Sequence, residues 1–155
     1  MAAAAFSKDI YNDMANIGWN PFNTDAEKAL NAKYVSFYKG AAVIKADLGG
    51  LNGGRSFYMG AIILDKSEND VNTIYHEWGH HLQLNVLGPA NYFISVGIPS
   101  ALWGSKDYYD MPWENIADAV GGANHNVPIN NRKNAKQLAL NSVLGPYSLI
   151  ISAFL

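Results

Sequence analysis

His76-Glu77-Trp78-Gly79-His80 matches the pattern H-E-x-x-H. On a helix, residues four apart are turned by about 40° around the axis and separated by about 6 Å along it. Two imidazoles at that spacing reach one metal ion from one face. The glutamate between them lies beside the ion, where it can hold a metal-bound water. Catalytic zinc takes three protein ligands and keeps one position open, so a third ligand has to come from elsewhere. The metzincin pattern would need a glycine three residues after His80 and a histidine three further on. Gln83 and Val86 stand there, which excludes that class. The remaining candidates are His81, Asp110, Glu114, Asp118 and His125. His81 is turned about 100° from His80 and points away. Glu114 is followed one helical turn later by Asp118, in Trp113-Glu114-Asn115-Ile116-Ala117-Asp118. One carboxylate of such a pair can bind the ion while the other accepts the N–H of a liganding histidine and fixes its tautomer. Without a cation, Glu77, Glu114 and Asp118 in one pocket would repel one another. A divalent ion removes that cost and brings the formal charge of −2 to zero.

The elements that must position these residues can be read from periodicity and caps. Thr24 opens a helix near Asp25, with Glu27 completing a capping box. Tyr34–Tyr38 reads as a strand, Lys39-Gly40 as a turn and Ala41–Lys45 as a second strand. Leu48–Gly54 is loop-like, and Phe57–Leu64 is the best strand candidate, with Gly60 inside it. Ser67 caps a long helix whose apolar positions Val71, Ile74, Tyr75, Trp78 and Leu82 keep helical spacing. Gly88-Pro89 ends it. Residues 90–104 are expected to be a buried, irregular connection with a short helix. Asp110 caps a further helix with Pro112 in its first turn, stopped by Gly121-Gly122. A last helix covers Arg132–Leu144, and Tyr147–Leu155 is an apolar tail.

The chain's 155 residues suit one domain, read as spanning 1–155. Met1–Ala5 reads as a cloning scar or the cut edge of a longer chain, not as a signal peptide. Hydrophobic residues at 49% and charged residues at 15% describe a globular chain. Eleven basic against 13 acidic residues leave no excess to bind a phosphate backbone, which argues against nucleic acid. The absence of cysteine removes disulfides, thiolate zinc sites and a cysteine nucleophile. No run reaches the roughly 18 apolar residues of a membrane span, and Val143–Leu155 lacks the basic face of a membrane-surface helix.

H-E-x-x-H followed by E-x-x-x-D on a later helix resembles the gluzincin branch of the zincin metallopeptidases. A closer likeness runs over about residues 30–122: YVSFYK from Tyr34, Phe57–Leu64, HEWGHHLQ from His76, Gly88-Pro89, Gly97-Ile98-Pro99-Ser100, and DYYDMPWENIADAVGG from Asp107. That series resembles metallopeptidase-like domains at the C-terminal ends of bacterial RHS-repeat and related polymorphic-toxin proteins. The resemblance implies a small α+β zincin-like domain, with the active-site helix packed on a short mixed or antiparallel sheet and a helical C-terminal part. It implies that His76, His80 and Glu114 bind zinc, that Glu77 is the general base, and that Asp118 orients a liganding histidine. It further implies a hydrolase secreted or delivered to a cell surface within a larger bacterial protein. A peptide or protein would be the substrate, and an immunity protein a potential partner. Two departures stand out. The large C-terminal lobe of many gluzincins is missing, and no residue matches their oxyanion-stabilising Tyr or His, for which Tyr108, Tyr109 and His125 are the candidates.

The expected reaction is peptide-bond hydrolysis, with an extended substrate pairing along Phe57–Leu64 as a sheet edge. The alternative is a non-catalytic binding or toxin module stabilised by a structural zinc.

Overall fold

The computed structural model describes residues 8–13, 20–49, 54–57 (backbone alone), 61–102 and 108–129. A helical segment over 8–13 (α1) precedes α2 (Ala26–Leu30), β1 (Val35–Tyr38), β2 (Ala41–Ala46), β3 (Gly54–Phe57) and β4 (Ala61–Asp65). Then come α3 (Val71–Leu87), α4 (Pro89–Tyr92), a π-helical turn (Phe93–Gly97), α5 (Ile98–Leu102), a 3-10 turn (Tyr108–Asp110) and α6 (Pro112–Gly121). The fold is α+β: helices pack on a four-stranded mixed sheet of order β1-β2-β4-β3. The expected helix Arg132–Leu144 and the tail Tyr147–Leu155 lie outside the described residues.

β1 and β2 form a two-residue hairpin in which Tyr38 faces Ala41. Lys39 and Gly40 both take positive φ, 47° and 90°, the twist that a tight hairpin between right-twisted strands needs. β2 runs parallel to β4, with Val43 opposite Ile62. β3 runs antiparallel to β4, with Phe57 opposite Ala61. Phe57–Leu64 is therefore not one strand. The run is rich in strand-forming residues throughout, so its composition hides the reversal between Phe57 and Ala61. Nor is its second half an edge: β4 lies between β2 and β3, and of the two edge strands, β1 and β3, β3 lies against α3. Gly60 falls outside the described residues, and Gly54, expected in a loop, begins β3.

The sheet buries Tyr38, Val43, Ile62 and Leu64 against Ala26, Ala29 and Leu30 of α2 and Ile74 of α3. Val71, Tyr75 and Trp78 of α3 pack on this cluster. A second cluster joins Leu87, Val96 and Trp113, so it ties the C-terminal end of α3 to the π-helical turn and α6. α3 is thus held from both sides, by the sheet and by α6. α1 is anchored by Asp13, whose carboxylate accepts the amides of Lys33 (2.9 Å), Tyr34 (2.6 Å) and Val35 (3.0 Å) at the entry to β1.

Three expected caps shift, two of them beside a carboxylate. Asp25, not Thr24, caps α2 by accepting the amide of Lys28. Ser67 does not cap α3: it lies in the turn before the helix, where its amide (2.8 Å) and its hydroxyl (2.5 Å) donate to Asp65. The helix begins at Val71, with Asp70 accepting the amide of Asn72. Asp110 lies in the 3-10 turn, and α6 starts behind Met111 with Pro112 at its first position. Residues 89–102 are helical rather than irregular. Gly88 and Gly122 end α3 and α6 with φ of 74° and 86°, as expected of glycine stops.

The turn into α3 carries a pH signature. Ser67's hydroxyl and amide and the Leu48 amide hold the Asp65 carboxyl down at about 2. A carboxylate whose pKa falls on folding stabilises the protein above its unfolded value of 3.8 and loses that contribution as pH falls through about 2. The stability gap between the metal-free parent and Asp65→Ala should be widest above pH 4 and narrow below it. Urea midpoints across that range check this; a gap independent of pH would exclude the assignment.

Candidate metal centre

α3 buries one stripe against the sheet and a second, polar stripe against α6. His76, Glu77 and His80 belong to the second and are each 5% exposed. From α6, Glu114 and Asp118 point back at them, 0% and 2% exposed. Such burial of charged groups is tolerated only when they are paired with one another or with a metal.

Two glycines make this approach possible. A Cβ on Gly79 would sit 2.0 Å from the carbonyl oxygen of Ala117. A Cβ on Gly121 would sit 1.9 Å from the carbonyl oxygen of Tyr75. α3 and α6 therefore touch backbone to backbone at two points. With side chains there, α6 could not bring its short carboxylates onto the imidazoles of α3.

The contacts form a closed figure. His76 Nε2, His80 Nε2 and Glu114 Oε2 lie 3.0 Å from one another in all three pairs. Neighbouring vertices of a tetrahedron with bonds of about 2.0–2.1 Å are about 3.3 Å apart, so the triangle has the right size for three ligands of one ion. The outer contacts decide what the three atoms are. His76 Nδ1 lies 2.6 Å from Asp118 Oδ1, a carboxylate oxygen that can only accept. His80 Nδ1 lies 2.8 Å from Gln83 Oε1, and Gln83 is oriented by donating its amide to the carbonyl of Trp113 at 2.7 Å. Both Nδ1 atoms are therefore donors. In the neutral rings both Nε2 atoms carry lone pairs, and these converge with a carboxylate oxygen. Three converging acceptors are the donor set of a cation site.

Without an ion, a proton fills the gap between these acceptors. Burial pulls the His76 pKa down, but the Asp118 and Glu114 carboxylates outweigh it and raise it to about 10. Burial pushes Glu114 up, and His80 and His76 reverse that, holding its carboxyl well below the usual range. Asp118 is likewise pushed up by burial and brought below its ordinary value by His125 and His76. The proton held on His76 is one that a divalent cation would have to displace.

Glu114's other oxygen, Oε1, accepts the hydroxyl of Ser100 from α5. This leaves Oε2 alone to face the histidines. Burial and the Glu114 carboxylate push the Tyr108 phenol up. Burial and the carboxylates of Glu77 and Glu114 do the same to Tyr92. Both phenols therefore remain protonated donors beside the site.

Of the residues singled out in the sequence, the structure brings His76, His80 and Glu114 together and sets Asp118 behind His76. His81 does turn away and stacks on Trp78, with ring centroids 4.9 Å apart. Asp110 joins neither cluster of potential ligand atoms among the described residues. His125 joins a second cluster with His76 and Asp118. Its 2.6 Å contact between His76 Nδ1 and Asp118 has the length of a hydrogen bond and is short for two ligands of one ion. Sequence reasoning missed Gln83, Ser100 and Tyr92. Gln83 follows His80 by three residues, within reach of its ring on one helix face, and that spacing was the available signal.

No family model, curated protein or solved structure matches this chain. The functional reading rests on the site itself.

Proposed function

We propose that the chain is a zinc-dependent metallopeptidase of gluzincin type that hydrolyses peptide bonds, with Glu77 as general base. The observation that carries the proposal is the 3.0 Å triangle of His76, His80 and Glu114, with both imidazoles fixed as acceptors by Asp118 and Gln83. Two neutral nitrogens and one carboxylate oxygen form a zinc donor set of catalytic type, which leaves a fourth position for water or substrate. Zinc held there would supply Lewis-acid polarisation of the scissile carbonyl and a water of lowered pKa.

The chain's own residues do the rest. Glu77 receives the proton of the attacking water and passes it to the leaving nitrogen. Asp118 and Gln83 keep the imidazoles in register while charge builds up. Edge strand β3 lies against α3, and among the described residues no strand pairs with its outer side. An extended peptide can add there as a further strand, which moves the docking edge from the expected Phe57–Leu64 to Gly54–Phe57. Peptide specificity would then come from alternate side chains. Delivery as a toxin domain of a longer bacterial protein, with an immunity protein as partner, belongs to the same proposal. No helix of the described residues is long and apolar enough to cross a membrane.

The test combines elemental analysis with cleavage of an unbiased peptide library. The parent should carry about one zinc and cut peptides. Chelation should abolish cutting while the fold persists. Glu114→Ala should lower zinc content at least tenfold at equal free zinc, because it removes one of three ligands. Unfolding on chelation without any turnover would make the metal structural and defeat the enzyme reading. Unchanged stoichiometry in Glu114→Ala would remove that residue from the ligand set.

A further inference from the structure

α6 ends at Gly122, and the next residues fold back over the metal centre. The Ala123 amide returns to the Asp118 carbonyl at 3.1 Å. The Asn124 amide donates to Asn72 Oδ1 in the first turn of α3 at 3.0 Å. Asn126 takes a positive φ of 59°, and its amide is held by Asn124 Oδ1. Asn115, fully buried on α6, donates to the carbonyl of Pro128 at 3.2 Å. Both helices therefore hold the segment 123–128, and His125 stands in its middle.

The His125 side chain is 12% exposed. Its Nδ1 lies 2.9 Å from Asp118 Oδ1 and 3.0 Å from Asp118 Oδ2. Its ring stacks on Tyr109, with centroids 3.8 Å apart and planes 10° from parallel. Tyr109 also meets His76 edge-on at 5.4 Å. Asp118 thus receives two histidines. His76 takes one oxygen, and His125 spans both. A buried carboxylate with a single donor can rotate about its terminal torsion, which is broad. The second imidazole removes that freedom, and the tyrosine fixes the second imidazole.

We infer that His125 is a positioning residue of the metal centre: it locks the Asp118 carboxylate, and through it the tautomer and orientation of His76. This rests on the metal-site reading above. The role requires a donor at the Nδ1 position and not at Nε2. Asparagine can place its amide N–H close to where Nδ1 stands, whereas glutamine reaches towards Nε2.

The experiment measures cobalt(II) affinity by competition with a chelator, together with the visible absorption of the cobalt form. It uses the full chain and the variants H125A, H125N and H125Q. Loss of the carboxylate bond to a metal-ligating histidine typically costs 10–100-fold in affinity, and His125 acts one bond further out, on the carboxylate itself. H125A and H125Q should therefore bind cobalt about 10-fold more weakly, the lower end of that range, with an altered spectrum. H125N should stay within about threefold of the parent and keep its spectrum. Should H125A fail to fold, the comparison of H125N with H125Q still decides. Equal affinities of H125N and H125Q, or an H125A that binds like the parent, would overturn the role of His125 and leave the metal site standing. A parent that binds no cobalt would overturn both.

Discussion

Glu77→Gln is expected to retain its zinc and to lose about 10²–10⁴-fold in peptide hydrolysis, the usual contribution of a positioned general base. The substitution keeps the shape of a side chain that is 5% exposed, so packing between α3 and α6 is preserved. It removes a basic oxygen and one negative charge. That charge helps to raise the His76 pKa. In the variant a proton competes less well for His76 Nε2, which offsets the weaker pull on the cation, and the three ligand atoms are untouched. The measurement is zinc stoichiometry by elemental analysis beside single-turnover cleavage of the best library peptide. A variant that cuts as fast as the parent would remove Glu77 from the base role. A variant that loses its zinc would show that Glu77 maintains the ligand geometry instead of acting on substrate.

The stripe of candidate ligands was legible in the sequence because helical spacing is rigid. His76 and His80 could be placed on one face before any fold was known, and Asp118 was placed one turn from Glu114 for the same reason. The strands β1 and β2, the glycine stops of α3 and α6, and the α+β class could be read from local pattern too. What could not be read depends on competition between groups distant in the chain or on close approach. Ser67 has the residue type of a cap, but its hydroxyl is turned to Asp65 and the helix starts behind Asp70. The reversal between Phe57 and Ala61 is hidden because the residues on both sides favour strands. Gln83 and Ser100 look like ordinary polar residues until α6 places Trp113 and Glu114 beside them. His125 could be singled out by residue type but not placed. Its distance to Asp118 depends on a turn whose positive φ at Asn126 has no strong sequence mark.

Gly79 is the clearest case of a residue whose importance only the packing reveals, and Gly79→Ala should damage the metal centre more than the fold. In an isolated helix the change would help by about 1 kcal/mol, since glycine is the poorer helix former. Here the new methyl would lie 2.0 Å from the Ala117 carbonyl oxygen, a backbone atom that cannot rotate away. Overpacking of this kind costs about 1–3 kcal/mol, so the net loss of stability in the metal-free protein should be no more than about 2 kcal/mol. The centre has less tolerance. Relieving the clash requires the helices to part by roughly 1 Å or more, the shortfall from an ordinary van der Waals contact. His76 and Asp118, now 2.6 Å apart, would lose their hydrogen bond, and Glu114 would retreat from both imidazoles. Zinc affinity should fall by at least about 10²-fold, the loss of a ligand contact together with an outer hydrogen bond. Gly97→Ala is the control, because its nearest neighbour, the Phe93 ring, is 3.5 Å from the added carbon, an ordinary contact. It should bind zinc as the parent does. Titration of the three proteins with zinc against a chelator, beside urea unfolding of the metal-free forms, separates the two effects. Parent-like affinity in Gly79→Ala would mean that α6 can move without disturbing the site, and the packing of the two glycines would no longer explain how Glu114 and Asp118 reach the histidines.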